Sequence, residues 1–237
     1  MSDHNHIKRL AMPKAWSVPK KAHIYATKQR PGAHSIATSL PATIVLRDML
    51  KVCDTAREAK KIVANRDLVV NGKAVKDAKT PVGLMDVVSL PKTGKNYRVE
   101  LTSKGKLTLV DIPEDNAKWV LARVEGKTRV PGGKMQLNLS GGRNVLIDGN
   151  KYSTGDSVKL SLADNEIIGE YPLAKGAFVL ITKGIHSGKT NVVESVEVIK
   201  GPASDVVIFQ NGGRTVKKNV FVLGTGAPEI VLPGASE

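Results

Sequence analysis

Residues 178–193 read FVLITKGIHSGKTNVV: a short apolar run, a loop with Gly184, Gly188 and Lys189, then a β-branched run. A phosphate-cradling P-loop needs four residues between its first glycine and the Gly-Lys pair, and a helix behind it. Here Gly184 and Gly188 enclose three, and Val192, Val193, Val196, Val198 and Ile199 follow, side chains that suit a strand and crowd a helix. The segment is therefore expected to form strand, tight basic loop, strand, which excludes the strand-loop-helix unit of a nucleotide hydrolase. Glycine allows the dihedrals of such a turn and lets main-chain N–H groups approach a phosphate backbone, with Lys183, His186 and Lys189 beside them. The same residues also fit an ordinary basic hairpin whose glycines serve only the turn.

With 237 residues, 22 glycines and 12 prolines, the chain suits several compact modules with short connections. Lys plus Arg number 36 against 22 Asp plus Glu, a net +14 expected of a protein with a polyanion partner. The excess is uneven: residues 1–40 carry seven basic side chains and one acidic, residues 41–92 ten and six. No apolar run reaches the roughly 18–20 residues of a membrane span and no signal-peptide core is present, so a cytoplasmic protein with no membrane partner is expected. Cys53 is the single cysteine, which excludes an internal disulfide, and His4 and His6 lack two further ligands, so neither metal nor cofactor is expected. Four of the five histidines lie in residues 1–40, and no carboxylate pair stands in a pocket-forming context; an enzyme is not expected. At 4% aromatic content, base stacking cannot be the main mode of recognition, which leaves phosphates and RNA shape.

Residues 1–40 intersperse Lys8, Arg9, Lys14, Lys20, Lys21, Lys28 and Arg30 with prolines, and such a segment cannot offset its own ordering entropy. It is expected to order only on a partner. Two readings of Trp16 and Tyr25 stand open: they stack on RNA, or they pack on this protein's own core. From Thr43, apolar residues recur at helical spacing through Cys53, with Arg47 and Lys51 on another face. Thr55 and Glu58 form a capping box for a second helix that exposes Arg57, Lys60 and Lys61. Asn71-Gly72 between Val69-Val70 and Lys73-Ala74 marks a two-residue hairpin, and 85–89 read as a further strand. Any one of these lysines alone reads as a solvated face. Seven cations on one helix pair and hairpin, Arg47, Lys51, Arg57, Lys60, Lys61, Arg66 and Lys73, repel one another until a polyanion neutralises them.

Frequent glycines divide residues 93–172 into alternating runs such as KLTLVDI (106–112) and SVKLSL (157–162), which suggests short antiparallel strands closing into a small barrel or sandwich, with a helical turn near 113–119. Lys127, Arg129, Lys134 and Arg143 are further candidate contacts there. After residue 193, runs at 206–209 and 215–223 flank Asn211-Gly212-Gly213-Arg214 and are expected to complete a small β-barrel, followed by a loosely held tail.

The loop at 183–189 resembles the KOW motif of ribosomal and transcription-elongation proteins, with Asn191 where that pattern usually has glycine. The helix pair and hairpin resemble the S-four-type RNA-binding fold. Together with the arm HIKRLAMPKAWSVPKK (6–21), VGLMDVVSL (82–90) and NVFVLG (219–224), they make the whole chain similar to the small-subunit ribosomal protein family S-four-e, in its shorter archaeal form. The resemblance implies an α+β multidomain chain. Its parts would be a basic extended N-terminal arm (1–42), an S-four-type RNA-binding fold with the αL motif (43–92), a central small β-rich domain (93–172), a C-terminal KOW SH3-like β-barrel (173–225) and a tail (226–237). It implies a structural constituent of the small ribosomal subunit, bound to 16S-type rRNA and to neighbouring small-subunit ribosomal proteins. The expected RNA contacts are Lys8, Arg9, Lys14, Trp16, Lys20 and Lys21 in the arm, the seven cations of the helical module, and Lys183, Gly184, His186, Gly188 and Lys189 in the loop. The alternatives are a free RNA-binding translation or transcription-elongation regulator, and an RNA-modifying enzyme, for which the middle region offers no cofactor-binding glycine motif.

Overall fold

The computed structural model describes residues 6–19, 21 and 23–233. Its chain divides into two units, residues 1–100 with 106–118, and residues 101–105 with 119–237.

In the first unit, the arm forms a two-stranded antiparallel ribbon, β1 (His6–Lys8) against β2 (Tyr25–Thr27). Between them Met12 and Trp16 are buried, Trp16 to 3% exposure, and the indole N–H donates to the Ile36 carbonyl at 3.3 Å. The Ala15 carbonyl accepts from the Leu107 N–H at 2.8 Å, and the Ser17 hydroxyl donates to the Leu107 carbonyl at 2.8 Å. The expectation that the arm orders only on a partner is therefore corrected. Alone it lacks apolar area, but Trp16 and Met12 add theirs to a core built by other residues of the same unit.

After β3 (Ser39–Pro41), α1 (Ala42–Ile44) runs without a break into a π-helical turn, Val45–Met49, where the Leu50 N–H donates to the Val45 carbonyl. Ile44, Val45 and Leu46 are fully buried, and Cys53 is buried nearby, its thiol pushed up first by burial and then by Glu58. The capping box starts α2 (Ala56–Ala64) as expected: Thr55 Oγ1 accepts from the Glu58 N–H, and the Glu58 carboxylate accepts from the Thr55 N–H. Ala59 and Val63 are its buried stripe. The Asn71-Gly72 turn joins β4 (Val69–Val70) to β5 (Lys73–Ala74), both turn residues holding positive φ, at 51° and 75°. Next come β6 (Pro81–Gly83), which pairs with β3, and β7 (Val87–Leu90).

The sheet does not stop at residue 92. β8 (Lys95–Leu101) pairs with β7, Val87 opposite Arg98, and β9 (Leu107–Ile112) follows it, giving the order β5-β4-β7-β8-β9. The boundary expected between 92 and 93 thus falls inside a sheet, and two strands assigned to the central region belong to the first. The expected helical turn is α3 (Glu114–Ala117). Within β8, Arg98 and Glu100 point to the same face two residues apart and are each 1% exposed.

The second unit holds two five-stranded sheets. β10 (Trp119–Arg129), β11 (Met135–Leu139), β12 (Arg143–Ile147), β13 (Ser157–Ser161) and β14 (Ile167–Tyr171) form one in the order β12-β11-β10-β13-β14. β10 pairs with β13 through Trp119–Arg123 and with β11 from Val124 onward, with a bulge between Val124 and Gly126. This is an open sheet rather than the closed barrel or sandwich expected. β15 (Ala177–Ile181), β16 (Thr190–Glu197), β17 (Val206–Phe209), β18 (Arg214–Val216) and β19 (Val220–Thr225) form the other, in the order β18-β17-β16-β15-β19. Its core is Val179, Ile181, Val193, Val207, Phe209 and Val222, against which Tyr171 and Leu173 pack. Here too the ladder is not closed by hydrogen bonds; a 3-10 turn, Lys217–Asn219, joins β18 to β19. The tail is docked as far as Ile230, which is buried. Glu229 pairs with Lys159 at 2.6 Å, and that ammonium sits 4.1 Å from the Trp119 ring centre.

Candidate nucleic-acid interface

α2 presents Arg57, Lys60 and Lys61 to solvent because its apolar stripe, Ala59 and Val63, faces the other way. Lys73 stands exposed just after the hairpin turn. The two remaining exposed cations of this face occupy unusual backbone. Arg66 has φ 62° at the end of α2, where the Arg66 N–H donates to Val63 and the Asp67 N–H to Ile62, the paired bonds that normally close a helix on glycine. Lys51 has φ 53° at the end of the α1 turn, followed by a Val52 N–H donated to Leu46. A cation at a helix C-terminus complements the exposed carbonyls. A left-handed backbone, however, is costly for a side-chain-bearing residue. The backbone strain at both positions thus falls on residues that carry basic side chains.

Arg47 stands apart from this set. It is half-buried, and its guanidinium makes two bonds to Asp48, at 3.2 and 2.8 Å, so its charge is neutralised within its own helix. Lys51, Arg57, Lys60, Lys61, Arg66 and Lys73 form no ion pair among the described residues. The acidic groups nearby are engaged elsewhere: Asp67 holds Lys92 at 2.6 Å, Asp77 holds Arg30 at 2.6 Å, and Glu58 is held below its usual range first by the Thr55 N–H.

In the arm, Lys8, Lys14 and Lys21 are exposed, and Lys20 lies outside the described residues. Arg9 is turned inward: its guanidinium donates to the carbonyls of Pro19 and Val18, clamping the arm on itself. Trp16 offers no ring face to a base, so the packing alternative holds and its place among the RNA contacts is corrected.

The loop between β15 and β16 forms the hairpin expected, with no helix behind Lys189. Lys183, Gly184, His186 and Lys189 are exposed. Gly188 is buried: a Cβ there would come within 1.9 Å of the Thr102 carbonyl oxygen, and its φ is +89°. Its role is close approach to protein backbone rather than to RNA. That packing brings the turn Thr102–Gly105 against Ser187 and Gly188, and with it Lys104, an exposed cation that the sequence reading passed over because 106–112 advertised only a strand. Lys127, a candidate in the middle region, is spent on its own turn, donating to Asn150 Oδ1 and the Tyr152 carbonyl. Among the described residues no cluster of ligands could hold a metal ion, and no helix is long and apolar enough to cross a membrane.

Family models match three stretches: the RS4NT (NUC023) domain at residues 1–37, the S4 domain at 44–88 and Ribosomal family S4e at 93–167. The small ribosomal subunit protein eS4 of Methanothermobacter thermautotrophicus is 39% identical over 238 residues, covering 99% of this chain and 98% of that one. The protein of the same name from Methanocaldococcus jannaschii is 40% identical over 239 residues, covering 96% and 97%. The crystal structure of the 30S ribosomal protein S4e from Thermoplasma acidophilum superposes with a TM-score of 0.71 at 33% identity, over 79% of this chain and 96% of that one.

Proposed function

Because the chain belongs to the ribosomal family S4e, we propose that it binds small-subunit rRNA of the 16S type and helps hold the folded RNA in place within the subunit. Membership makes it a structural constituent of the ribosome and not an enzyme. The observation that carries the RNA reading is the set of six cations without ion-pair partners, Lys51, Arg57, Lys60, Lys61, Arg66 and Lys73, on a helix pair and hairpin within the first unit. Such a set is stabilised by a chain of phosphates, each contact adding a little and releasing counterions. Lys8, Lys14, Lys20 and Lys21 of the arm make a second contact, and Lys183, Gly184, His186 and Lys189 a third. Several tethered contacts raise avidity through effective concentration, which suits a part that must stay bound.

We assign residues 173–225 to a KOW SH3-like barrel. Three 3-10 residues connect the edge strands β18 and β19, a span of about 8 Å, and so short a tether between the two edges supports a curled sheet even where its ladder stays open. Neighbouring small-subunit proteins and a cytoplasmic ribosome complete the reading.

The test is a double charge reversal, Lys60→Glu with Lys61→Glu. The expected result is weaker binding to a small-subunit rRNA transcript and a salt slope shallower by about 1.5 to 2. An unchanged affinity and slope would remove this face from the interface. Sedimentation of native lysate through a high-salt gradient separates the structural reading from the transient regulator: retention on the small subunit is expected, and release into the soluble fractions would favour the regulator.

A further inference from the structure

Ile185 stands at the tip of the loop between β15 and β16 with 99% of its surface exposed, matched among the described large apolar side chains only by Leu10 of the arm. An isolated exposed isoleucine needs no explanation on most surfaces. This one differs in how firmly it is held out. Behind it, the Gly188 N–H donates to the Ile181 carbonyl at 2.7 Å, the Lys189 N–H to His186 at 3.1 Å and the Ser187 hydroxyl to the Thr182 carbonyl at 3.0 Å. The backbone of Gly188 rests on Thr102, which fixes the base of the loop behind the tip. A loop braced in this way holds its isoleucine outward, and the apolar surface stays in water until a partner covers it.

The surroundings of Ile185 select that partner. Lys183, His186 and Lys189 flank it, and Lys104 is exposed on the turn that braces the loop. A protein pocket would have to offer an apolar floor and an acidic rim together. Folded RNA offers both wherever bases are unstacked at a bulge or internal loop, since the exposed base faces are apolar and the rim is phosphate. We propose that Ile185 is a wedge that enters such an opening between bases while the cations around it hold the flanking phosphates. The proposal rests on the reading above that this loop meets rRNA, and adds to it a contact that carries no charge.

That difference gives the test, run on the full-length protein with a small-subunit rRNA transcript across a salt series. Ile185→Ser should weaken binding about 5- to 10-fold, the share expected from burying part of one aliphatic side chain, with the salt slope unchanged. Its melting temperature should match the wild type, because the side chain touches nothing in the free protein. Lys183→Glu with Lys189→Glu should weaken binding and flatten the slope. Leu146→Ser, which removes an exposed leucine from β12, should do neither. Wild-type affinity in Ile185→Ser, with the lysine reversal still weakening binding, would overturn the wedge and leave the RNA-binding reading intact. No effect from either variant would overturn both for this loop. Equal weakening by Leu146→Ser would show a nonspecific apolar contribution and overturn the wedge. Unchanged RNA affinity in Ile185→Ser, together with poorer retention in subunits reconstituted with the other ribosomal proteins, would assign the tip to a protein pocket and overturn it as well.

Discussion

Arg66 combines a left-handed backbone with a cation proposed to meet rRNA, and replacing it separates the two. Its backbone, at φ 62°, costs a residue with a Cβ about 1–2 kcal/mol relative to helical geometry. Glycine removes that cost but loses roughly 0.5–1 kcal/mol through the greater freedom of the unfolded chain. Arg66→Gly should therefore stabilise the first unit by about 0.5–1 kcal/mol, a rise of roughly 2–5 °C in its melting temperature. Arg66→Ala keeps the strain and should leave stability nearly unchanged. Both substitutions delete the same cation, so both should weaken rRNA binding alike and reduce the salt slope by about 0.7 to 1. Thermal melts of the three proteins, with binding measured from about 50 to 300 mM salt, read both quantities. If the glycine variant is no more stable than the alanine variant, the backbone carries no strain worth the name. If both bind like wild type, the strained position does not serve RNA.

Burial raises the Glu100 carboxyl to about 8, only partly offset by Arg98, and both its oxygens are enclosed without a hydrogen-bond partner. The folded state thus keeps a proton that the unfolded chain releases, so this stabilising contribution is complete below about 4.5 and is lost as the pH rises through 8. Glu100→Gln should melt close to wild type near pH 5 and progressively above it toward pH 9, and a pH-independent difference would contradict the assignment. Trp16→Ala should cost about 3–5 kcal/mol, seen as an early loss of first-unit structure on heating; a change under 1 kcal/mol would mean that the arm is not part of the core. Gly188→Ala and Gly184→Ala look equivalent in sequence. The first forces a Cβ to within 1.9 Å of the Thr102 carbonyl oxygen and the second meets nothing closer than 3.9 Å, so the first should lower the melting temperature of the second unit clearly more.

Local signals were legible in the sequence where one short stretch settles its own geometry. The Thr55-Glu58 capping box, the Asn71-Gly72 turn and the glycine spacing at 184–188 each stand where the residues imply, since hydrogen bonding and positive φ are decided within a few residues. What failed was set by contacts distant in sequence. Residues 95–112 alternate like the strands after them, and only the pairing of Val87 with Arg98 assigns them to the first sheet. Trp16 could pack or stack until the structure supplied Ile36 and Leu107 around its segment. Arg47 looked like its neighbours in the helix until Asp48 folded back on it. Of the candidate site, residue types and the exposed face of α2 were readable; which cations remained unpaired, and that Lys104 stands on the turn braced against the loop, were not.

The first sheet closes late in the chain. Its cation-bearing hairpin ends at Ala74, whereas β9, the last strand of the same sheet, ends at Ile112, about forty residues on. A ribosome adding 5–20 residues per second would release those helices and the hairpin roughly two to eight seconds before the sheet beneath them could be finished. During that interval a face with six exposed cations exists without a complete core, a nascent polycation within reach of any RNA. On the RNA reading proposed above, a protein made on the same kind of particle it joins would have a head start for early, salt-sensitive association over folding.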